Sequence, residues 1–481
     1  MVAFGTRPAT ADAYKLLHQG SRALARVEQA GLCIDRERLA ESTDTTRDRI
    51  KGLESKMRTH EVYDRWQRRF GAETNWDSRD QLSWVLFSDM GYTHPTGERN
   101  NDGKGELKCD EAVLQTVPLK FCRAYLRHQK LSKLFGTYLT GIAKLCNGNR
   151  LHPSFELHRV LSYRGSSSDP NFQNIPIRDA EIGRIIRSIF VAPDDYYMLE
   201  ADYGSIEVRV AACYHKDPTM LRYIETDYDM HSQMACKCLM FDHPKFDAYR
   251  TGADKVASKA AKGLRQLIKG GFVFAQFYGS WFKQCALEIW AAIEGLKTPS
   301  GIPIREHLAN NGITEIGDQW PKGGRPRKGT FCHHIMEVEE WFWKTTFPRY
   351  DKWRKQRYKE YKAHGGFNTL TGFRCWGPMT RNQVINFPVQ GSAFHCLLQS
   401  LIWLVNGLGR DGWRSHVVGQ IHDSIVCYVH KDELDEFLPY IKYTMADRLR
   451  ELWPWIITHL EVEAEVTPLA GCWFDKKEIA I

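Results

Sequence analysis

The sequence predicts an α+β protein, and three observations lead to this fold class. Apolar residues recur at helical spacing through the first ~150 residues, and helices dominate again from about residue 210 to residue 378. The segment YYMLEADYGSIEVRV, with Asp202 at its hinge, predicts a strand followed by a turn and a helix. The segment VVGQIHDSIVCYV predicts a β-hairpin around Asp423, and a final strand follows near LEVEAEV.

The helical N-terminal region is predicted to have one interruption and one capped helix. The segment SRALARVEQAGLCIDRERLAESTDTTRDRIKGLESKM has long amphipathic periodicity that breaks at Gly31. The segment NWDSRDQLSWVLFSDMG has the pattern of a capped helix. Near Leu157 the composition changes, and SYRGSSSDPNFQNIPIRD predicts an extended loop because it is rich in serine, proline and asparagine.

Length and composition predict a globular protein with two or three subdomains. The chain has 481 residues, of which 43% are hydrophobic and 26% are charged. No apolar run approaches the length of a membrane span, and MVAFGTRPATADAYK lacks the apolar core of a signal peptide. We therefore expect a cytoplasmic protein without a membrane partner. The thirteen cysteines are scattered without a CxxC pair, which predicts reduced thiols rather than disulfides or a zinc site.

The net charge of +8 is unevenly distributed, and one segment carries a basic stripe. No carboxylate occurs in residues 112–155, whereas Lys120, Arg123, Arg127 and Lys130 follow helical spacing and would lie on one face. A solvated helix face is the usual explanation of such a run. A stripe without interleaved acids repels itself, however, which favours contact with a polyanion such as a nucleic-acid backbone.

The two aspartates at strand ends are the first candidate site. An ionised carboxylate is costly to bury, so one at the end of an apolar strand usually has a cationic partner. If the fold brings Asp202 and Asp423 together, they will repel unless divalent metal ions lie between them. Paired metals of this kind serve in-line phosphoryl transfer. The alternative is two unrelated surface turns.

A second candidate lies between the aspartates, in GLRQLIKGGFVFAQFYGS. Arg265 and Lys269 are four residues apart on one helix face, and Phe274 and Tyr278 have the same spacing. Two cations and two aromatic rings on one helix suit a nucleotide, because the cations bind the triphosphate and the rings pack near sugar and base. A plain amphipathic helix has the same spacing.

Taken together, these segments resemble the family A DNA polymerases, the polymerase-I-like enzymes. The motifs A, B and C of that family are similar to ADYGSIEVRV, RQLIKGGFVFAQFYG and QIHDSIV. Its loop before motif A, its segment before motif C and its thumb signatures are similar to RGSSSDPNFQNIPIRD, NFPVQGSAF, NWDSRDQLSWVLF and ARVEQAGLCID. The resemblance runs in the expected order from about residue 15 to the end of the chain.

The resemblance implies a right-hand polymerase fold. A mostly helical thumb would span residues 1–155, a palm with an antiparallel sheet would span residues 156–208 and 380–481, and helical fingers would span residues 209–379. The implied reaction adds deoxynucleotides to a primer 3′ end and releases pyrophosphate. Its partners would be dNTPs and primer–template DNA, with the basic stripe gripping the DNA.

The resemblance also implies a role for each matching residue of the catalytic and nucleotide sites. Asp202, Asp423 and the Tyr203 backbone carbonyl would bind two Mg²⁺ ions. The incoming nucleotide would contact residues with three roles: Arg265, Lys269 and His231 at the triphosphate, Glu207 as the steric gate against a ribose 2′-hydroxyl, and Tyr278 over the nascent base pair. Either Phe274 or Val273 would face the sugar.

The implied DNA contacts come from the palm. Arg164, Gln390 and Asn386 would lie near the primer–template minor groove, where acceptors common to all base pairs allow pairing geometry to be checked. His422 would lie beside the primer terminus. Structural alternatives stay open for three residues: a helix-capping role for His231, a buried hydrogen-bonding role for Gln390 and a loop-pinning role for Arg164.

The sequence departs from the family pattern at three places. Motif B has one extra residue between Lys269 and the Tyr278–Gly279 pair, which a π-bulge or the Gly270–Gly271 pair would absorb. Ser424 stands where the family commonly has a glutamate, which affects the expected metal affinity. Gly204 replaces a commoner serine and should mainly affect backbone flexibility.

Further expectations concern what the chain lacks. It begins almost at the thumb, so we expect neither a 3′–5′ exonuclease domain nor a 5′-nuclease domain. A separately encoded exonuclease or a processivity factor would then be a partner, which the sequence does not identify. A compact chain of this kind suggests a phage origin and hence the host cytoplasm. The loop at residues 320–330, with Lys322, Arg325, Arg327 and Lys328, should be exposed.

Two rival functions remain from the sequence. A single-subunit RNA polymerase shares the palm and the metal chemistry, but Glu207 and the absence of an upstream promoter-binding region argue against it. A catalytically inactive DNA-binding replication scaffold would not need Asp202, Asp423, Arg265 and Lys269 together. Comparing dNTP with NTP incorporation separates the first rival, and substituting Asp423 separates the second.

Overall fold

The computed structural model describes residues 7–95, 97–100, 103–177, 179–321 and 323–481. The N-terminal part is mainly helical, as predicted. Its helices and strands are α1 Arg7–Ala30, β1 Leu32–Ile34, α2 Arg36–Arg58, α3 Glu61–Phe70, α4 Arg79–Ser83, α5 Glu111–Thr116, α6 Lys120–Lys133, α7 Thr140–Leu145 and β2 Arg150–Leu151. π-Helical turns follow α4 at Trp84–Asp89 and α6 at Leu134–Leu139.

The middle of the chain contains the first long strand and most of the helices. Its elements are β3 Ser154–Glu156, β4 Ser166–Ser168, α8 Ala180–Arg187, β5 Phe190–Val191, β6 Tyr196–Tyr203, α9 Ile206–His215, α10 Pro218–Glu225, α11 Met230–Leu239, α12 His243–Thr251, α13 Lys255–Ile268, α14 Ala275–Phe277, α15 Phe282–Ala292, α16 Ile304–Asn310, α17 Phe331–Trp341 and α18 Pro348–His364. π-Helical turns at Lys269–Phe274 and Phe342–Thr346 follow α13 and α17.

The C-terminal part returns to mixed helix and strand, as predicted. Its elements are β7 Gly366–Asn368, β8 Arg374–Trp376, α19 Arg381–Arg410, β9 His416–Ile421, β10 Ser424–His430, α20 Leu434–Met445, α21 Asp447–Leu452, β11 Val462–Val466 and β12 Lys477–Ile479. The predicted final strand is β11, which pairs antiparallel with β6, and the short strand β12 follows it.

The main sheet has five strands in the order β12-β11-β6-β10-β9, and every neighbouring pair is antiparallel. The 30-residue helix α19 contacts β9 and β10 and is buried along most of its length. Side chains alternate across a strand, so β6 buries Leu199, Ala201 and Tyr203 and presents Glu200 and Asp202 on the other face. The acidic side chains therefore share the face opposite to this buried row.

The predicted helix interruption at Gly31 is confirmed. Gly31 has a φ of +65°, and an added Cβ would lie 2.6 Å from the His152 ring, so only glycine fits there. After strand β1, the Asp35 side chain accepts a hydrogen bond from the Arg38 amide and caps α2. The predicted capped helix is α4, for which Ser78 is the N-cap.

The N-terminal residues divide between two hydrophobic cores. Helix α1 packs against α19, close enough that a Cβ on Gly20 would lie 2.9 Å from the Leu398 methyl groups. A second core contains Trp66, Leu82 and Tyr125 and involves residues 57–126 only. The predicted thumb range of residues 1–155 thus spans both cores, and its assignment as a thumb stays a prediction.

No helix in the described ranges is both long and apolar enough to cross a membrane. The thirteen cysteines are all free, and twelve of them are buried. In the predicted extended loop after Leu157, the described residues form only the short strand β4 and a single 3₁₀ turn at Phe172–Asn174.

Candidate active site

The fold brings Asp202 and Asp423 together. Asp202 is the penultimate residue of β6, and Asp423 lies in the turn between β9 and β10. Ser424, the residue after Asp423, is directly opposite Asp202 in the β6–β10 pairing. The Tyr203 amide donates a hydrogen bond of 3.2 Å to the Asp423 backbone carbonyl. The two carboxylates therefore lie on adjacent strand ends of one sheet.

The turn that carries Asp423 is tightly held. His422 has a φ of +48°, a left-handed conformation that is uncommon for a residue with a Cβ. The Gln420 side chain donates a hydrogen bond of 2.6 Å to the His422 carbonyl and stabilises the turn. Burial lowers the pKa of His422, and the nearby Arg164 charge lowers it further, which favours the neutral imidazole.

Burial disfavours the ionised form of both carboxylates. Asp202 is open to solvent, but the surrounding protein desolvates it enough to raise its pKa to about 7, and the Asp423 charge adds to that rise. Burial raises the pKa of Asp423 to about 6, although the Arg164 guanidinium opposes this rise. A cation between the two groups would remove the mutual repulsion.

The donor set fits a hard divalent cation. In the part of the chain that the structure describes, no three histidine, cysteine or carboxylate side chains are grouped to hold a metal ion. The protein would supply two carboxylates and the Tyr203 carbonyl. Mg²⁺ is usually held by one or two carboxylates and completes its octahedron with water and substrate phosphates. Two carboxylates at the open end of a sheet suit that ion better than a closed structural site.

Glu207 links Asp423 to the segment that resembles motif B. Its Oε2 accepts a hydrogen bond of 2.6 Å from the Tyr278 hydroxyl, and its Oε1 accepts one of 3.4 Å from Arg164. The other terminal nitrogen of Arg164 is 4.0 Å from Asp423 Oδ1. The Asn386 side chain donates a hydrogen bond of 3.1 Å to the Tyr278 carbonyl.

These residues surround one cavity of about 490 Å³, which we name the central cavity. The predicted site residues in its lining are Arg164, Glu207, Phe274, Tyr278, Asn386, Gln390, His422 and Asp423. Residues predicted from five separate segments of the sequence thus face one space. Arg164 contacts two acidic groups across the cavity, which goes beyond the loop-pinning alternative.

The helix that resembles motif B contains a π-helical turn, which is one of the two predicted ways of absorbing the extra residue. Helix α13 continues into the π-helical turn Lys269–Phe274, and α14 follows directly. A π-turn accommodates one additional residue without breaking the helix. Val273 is fully buried, whereas Phe274 lines the central cavity. Of the two alternatives from the sequence, Phe274 is therefore the one exposed to this cavity. Gly279 ends the segment with a φ of +93°.

Arg265 has a partner that the sequence analysis missed. Its Nε donates to both carboxylate oxygens of Asp229, at 3.0 and 2.8 Å. Asp229 is also the N-cap of α11, where it accepts from the amide and the hydroxyl of Ser232. Burial raises the pKa of Asp229, but the Arg265 and Ser232 hydrogen bonds outweigh it and lower the pKa to about 2. The spacing of Asp229 and Ser232 is an N-cap signature that could have revealed this residue.

His231 and Lys269 both approach the Phe274 ring. The His231 ring packs edge-on at 5.7 Å, and Lys269 Nζ lies 5.2 Å from the ring centroid. Burial, with the Lys269 and Arg265 charges, lowers the pKa of His231 to about 4. Because Asp229 caps α11, the helix-capping alternative for His231 is wrong. His231 and Arg265 line a second cavity of about 420 Å³, which shares Ser205 with the central cavity.

The basic stripe is not free of acids in three dimensions. Arg127 forms ion pairs with Asp179 and Glu181, and Lys130 lies 2.8 Å from Glu111. The acids come from outside residues 112–155, so the absence of carboxylates from that segment did not predict unpaired charge. The two remaining members, Lys120 and Arg123, are exposed. DNA contact by the stripe stays a prediction.

The basic loop at residues 320–330 also forms ion pairs. Arg327 lies 2.5 Å from Glu315, and Arg325 lies 3.8 Å from Glu340. Both arginines are exposed, as predicted for this loop. Lys322 lies outside the described residues.

The chain is similar to known DNA polymerases in sequence and in fold. A profile described as DNA polymerase family A matches residues 38–256. The thermostable DNA polymerase I of Thermus filiformis is 28% identical over 448 residues, which cover 89% of this chain and 45% of that protein. The DNA polymerase of Bacillus phage SP01 is 23% identical over 492 residues, with 89% and 47% covered. The chain spans about half the length of these curated relatives.

One solved structure is described as the POL domain of Pol1 from M. smegmatis in complex with DNA primer-template and dNTP. The superposition has a TM-score of 0.69 at 22% sequence identity and covers 95% of this chain and 70% of that chain. At this identity the likeness concerns the fold. It confirms the predicted α+β, right-hand polymerase architecture with an antiparallel palm sheet.

Proposed function

We propose that the chain is a family A DNA polymerase and that it adds deoxynucleotides to a primer 3′ end under the direction of a DNA template. The observation that carries this proposal is the meeting of Asp202 and Asp423 at adjacent strand ends. Two carboxylates with raised pKa values beside a cavity suit phosphoryl transfer better than a structural role. Primer–template DNA and dNTPs are the proposed ligands, as in the similar POL domain.

Family A DNA polymerases generally use divalent metal ions. In this chain Asp202, Asp423 and the Tyr203 carbonyl would hold two Mg²⁺ ions. When bound, such ions favour deprotonation of the primer 3′-hydroxyl and offset the charge of the triphosphate and the departing pyrophosphate. The protein itself keeps the two carboxylates at a fixed separation through the Tyr203 amide and the His422 turn.

Arg265, Lys269 and His231 would bind the triphosphate of the incoming nucleotide. Asp229 engages only the Nε of Arg265 through hydrogen bonds, so the two terminal nitrogens are left for phosphate oxygens. Lys269 lies over the Phe274 ring, and its charge is at the same end of the helix as the charge of Arg265. The phosphates would therefore meet the cations while sugar and base reach the central cavity.

Glu207 would select deoxynucleotides. Hydrogen bonds from Tyr278 and Arg164 hold its carboxylate at the wall of the central cavity. A ribose 2′-hydroxyl entering beside a carboxylate held in this way meets a group that cannot move aside without losing both contacts. Phe274 and Tyr278 would pack against the sugar and the nascent base pair.

The DNA would lie across the sheet. Arg164, Gln390 and Asn386 line the central cavity next to Asp423 and would reach the minor groove of the primer–template. His422, adjacent to Asp423, would lie beside the primer terminus. Lys120 and Arg123 are the exposed members of the basic stripe and would contact backbone phosphates.

Primer extension on a defined template with Mg²⁺ tests the proposal, with each nucleotide type supplied separately. We expect extension with dNTPs by the wild type and essentially none by Asp423→Ala. Asp435→Ala is the matched control, because Asp435 is an exposed carboxylate at the start of α20. Equal extension with NTPs would instead favour an RNA polymerase, and extension by neither protein would favour a scaffold.

A further inference from the structure

Glu200 is a buried carboxylate next to the proposed metal site. It precedes Asp202 by two residues on β6, so both side chains lie on the same face of the sheet. The Glu200 side chain is 12% exposed. Its Oε2 accepts hydrogen bonds from Trp473 Nε1 at 2.9 Å and from Lys476 Nζ at 2.5 Å. Glu200 is thus fixed by the segment that follows β11.

The other oxygen of Glu200 reaches the strand that carries Asp423. Ser424 Oγ lies 3.0 Å from Glu200 Oε1 and 3.0 Å from the Ile421 carbonyl. A hydroxyl has one proton to donate, and an ionised carboxylate is a stronger acceptor than a carbonyl. Ser424 directly follows Asp423 and pairs with Asp202 across the strands. Glu200 therefore holds Ser424, which is next to Asp423 in the chain and opposite Asp202 in the sheet.

Lys476 makes this arrangement possible. Glu465 is directly opposite Glu200 in the β6–β11 pairing, and like charges in such a pair repel. Lys476 Nζ lies 2.5 Å from each of the two carboxylates, and its side chain is only 11% exposed. One buried ammonium group thus neutralises a repulsive pair beside Asp202.

Trp473 anchors the segment that delivers Lys476. It is 1% exposed, its ring is 5.3 Å from Phe172 and 5.5 Å from Phe190, and the Arg187 guanidinium lies 3.9 Å above it. A tryptophan packed on three sides has one rotamer available. The hydrogen bond from Trp473 to Glu200 is therefore held in place by the packing of the Trp473 ring.

We propose that Glu200 and Lys476 are positioning residues for the acidic site, acting through the Ser424 hydroxyl on the turn of Asp423. This inference rests on the proposed function and names residues that the resemblance did not identify. The contact is possible because position 424 is a serine, which can donate to Glu200. A glutamate at that position would repel Glu200. Groups that orient metal ligands typically change metal affinity or activity about 10–100-fold when they are removed.

The test compares variants that remove the contact with variants that keep it. Glu200→Ala and Ser424→Ala each remove the hydrogen bond, whereas Glu200→Gln keeps an acceptor for Ser424 and loses the charge. Lys476→Met removes the neutralising cation, and Lys476→Arg restores it. Lys477→Met is the matched control, because Lys477 is the exposed neighbouring lysine. After Glu200→Ala, Lys476 still pairs with Glu465, so no buried charge is left without a partner.

Two readouts are needed: kcat and KM for dNTP in primer extension, and Mg²⁺ affinity of the DNA-free protein by calorimetry. We expect Glu200→Ala, Ser424→Ala and Lys476→Met to lower kcat and Mg²⁺ affinity about tenfold with KM for dNTP little changed. Glu200→Gln and Lys476→Arg should stay within about threefold of the wild type. The double variant Glu200→Ala/Ser424→Ala should be about as slow as either single variant, because both substitutions remove the same hydrogen bond.

Three results would overturn the inference: independent effects that multiply in the double variant, equal losses for Glu200→Gln and Glu200→Ala, or no loss in Ser424→Ala. If Lys476→Met fails to fold, the Glu200 and Ser424 variants still decide the question. A wild type that binds Mg²⁺ but does not extend a primer would contradict the proposed function alone. The Mg²⁺ affinities would then still decide whether Glu200 positions the site.

Discussion

The Tyr278 hydroxyl donates a hydrogen bond of 2.6 Å to Glu207, and this contact joins the end of α14 to the first turn of α9, the helix that follows β6 and Asp202. Burial raises the pKa of Tyr278 well above its ordinary value, and the Glu207 charge adds to this effect, so the phenol remains a donor. Two segments separated by 71 residues thus share one polar contact across the central cavity.

The first prediction concerns this contact and sugar selection. Glu207→Ala should lower the preference for dNTP over NTP by about 10–200-fold, because the carboxylate proposed to exclude the 2′-hydroxyl is gone. Tyr278→Phe should lower it only several-fold, since Arg164 still holds Glu207. The measurement is the ratio of kcat/KM for dNTP and NTP. An unchanged ratio in Glu207→Ala would exclude Glu207 as the gate.

The second prediction concerns stability without metal. Asp202 has a pKa of about 7 in the folded protein, above its value in the unfolded chain, so its ionisation destabilises the fold. Asp202→Asn should therefore raise the free energy of unfolding in chelator by about 1 kcal/mol at pH 8, a figure reduced for solvent exposure. The gain should disappear as the pH falls through 7 towards 4, because the wild-type carboxyl then becomes protonated.

Denaturant unfolding of wild type and Asp202→Asn at several pH values checks this prediction. Asp435→Asn provides the control, since that carboxylate is exposed at the start of α20 and does not line the central cavity. A variant less stable than the wild type at pH 8 would contradict the repulsion between Asp202 and Asp423. Loss of primer extension in the same variant would separate the stability effect from the catalytic one.

The third prediction concerns Asp229 and the triphosphate. Asp229→Asn should raise KM for dNTP several-fold with little change in kcat, because Asp229 orients the Arg265 guanidinium. Asparagine still caps a helix, so α11 should keep its stability. Asp242→Asn is the matched control, because Asp242 caps α12 in the same way. A lower KM in Asp229→Asn would mean that Asp229 competes with the nucleotide instead.

The fourth prediction concerns the π-helical turn. Deleting Gly270 should convert Lys269–Phe274 into regular α-helix and rotate Lys269 by about 100° relative to Tyr278. Primer extension should be lost while the helix content by circular dichroism stays the same. Gly270→Ala should stay active and gain up to about 1 kcal/mol, because nothing lies within 4 Å of the added Cβ. A fully active deletion variant would exclude a role for the turn.

The sequence was sufficient for features that depend on local patterns. Apolar runs that end at a turn predicted the strand that carries Asp202 and the hairpin around Asp423, and the loss of amphipathic periodicity predicted the break at Gly31. The extra residue between Lys269 and Tyr278 could be counted in the sequence, so a π-turn could be expected. In each case the determining residues are close together in the chain.

Tertiary partners could not be predicted in this way. Arg127 meets acids at positions 179 and 181, which no count of charges within residues 112–155 includes. Lys476 reaches Glu200 from 276 residues away, and its burial depends on the packing of Trp473. Whether a surface charge is neutralised is decided by chain folding, since opposite charges attract across space regardless of sequence separation.

The separate core formed by residues 57–126 has a mechanical consequence. Helices α2 and α6 each place side chains in this core and in the larger one: Leu39 and Leu131 belong to the larger core, and Met57 and Leu126 belong to this one. A force on the smaller core would therefore pass to the larger core through continuous helix rather than through a flexible linker.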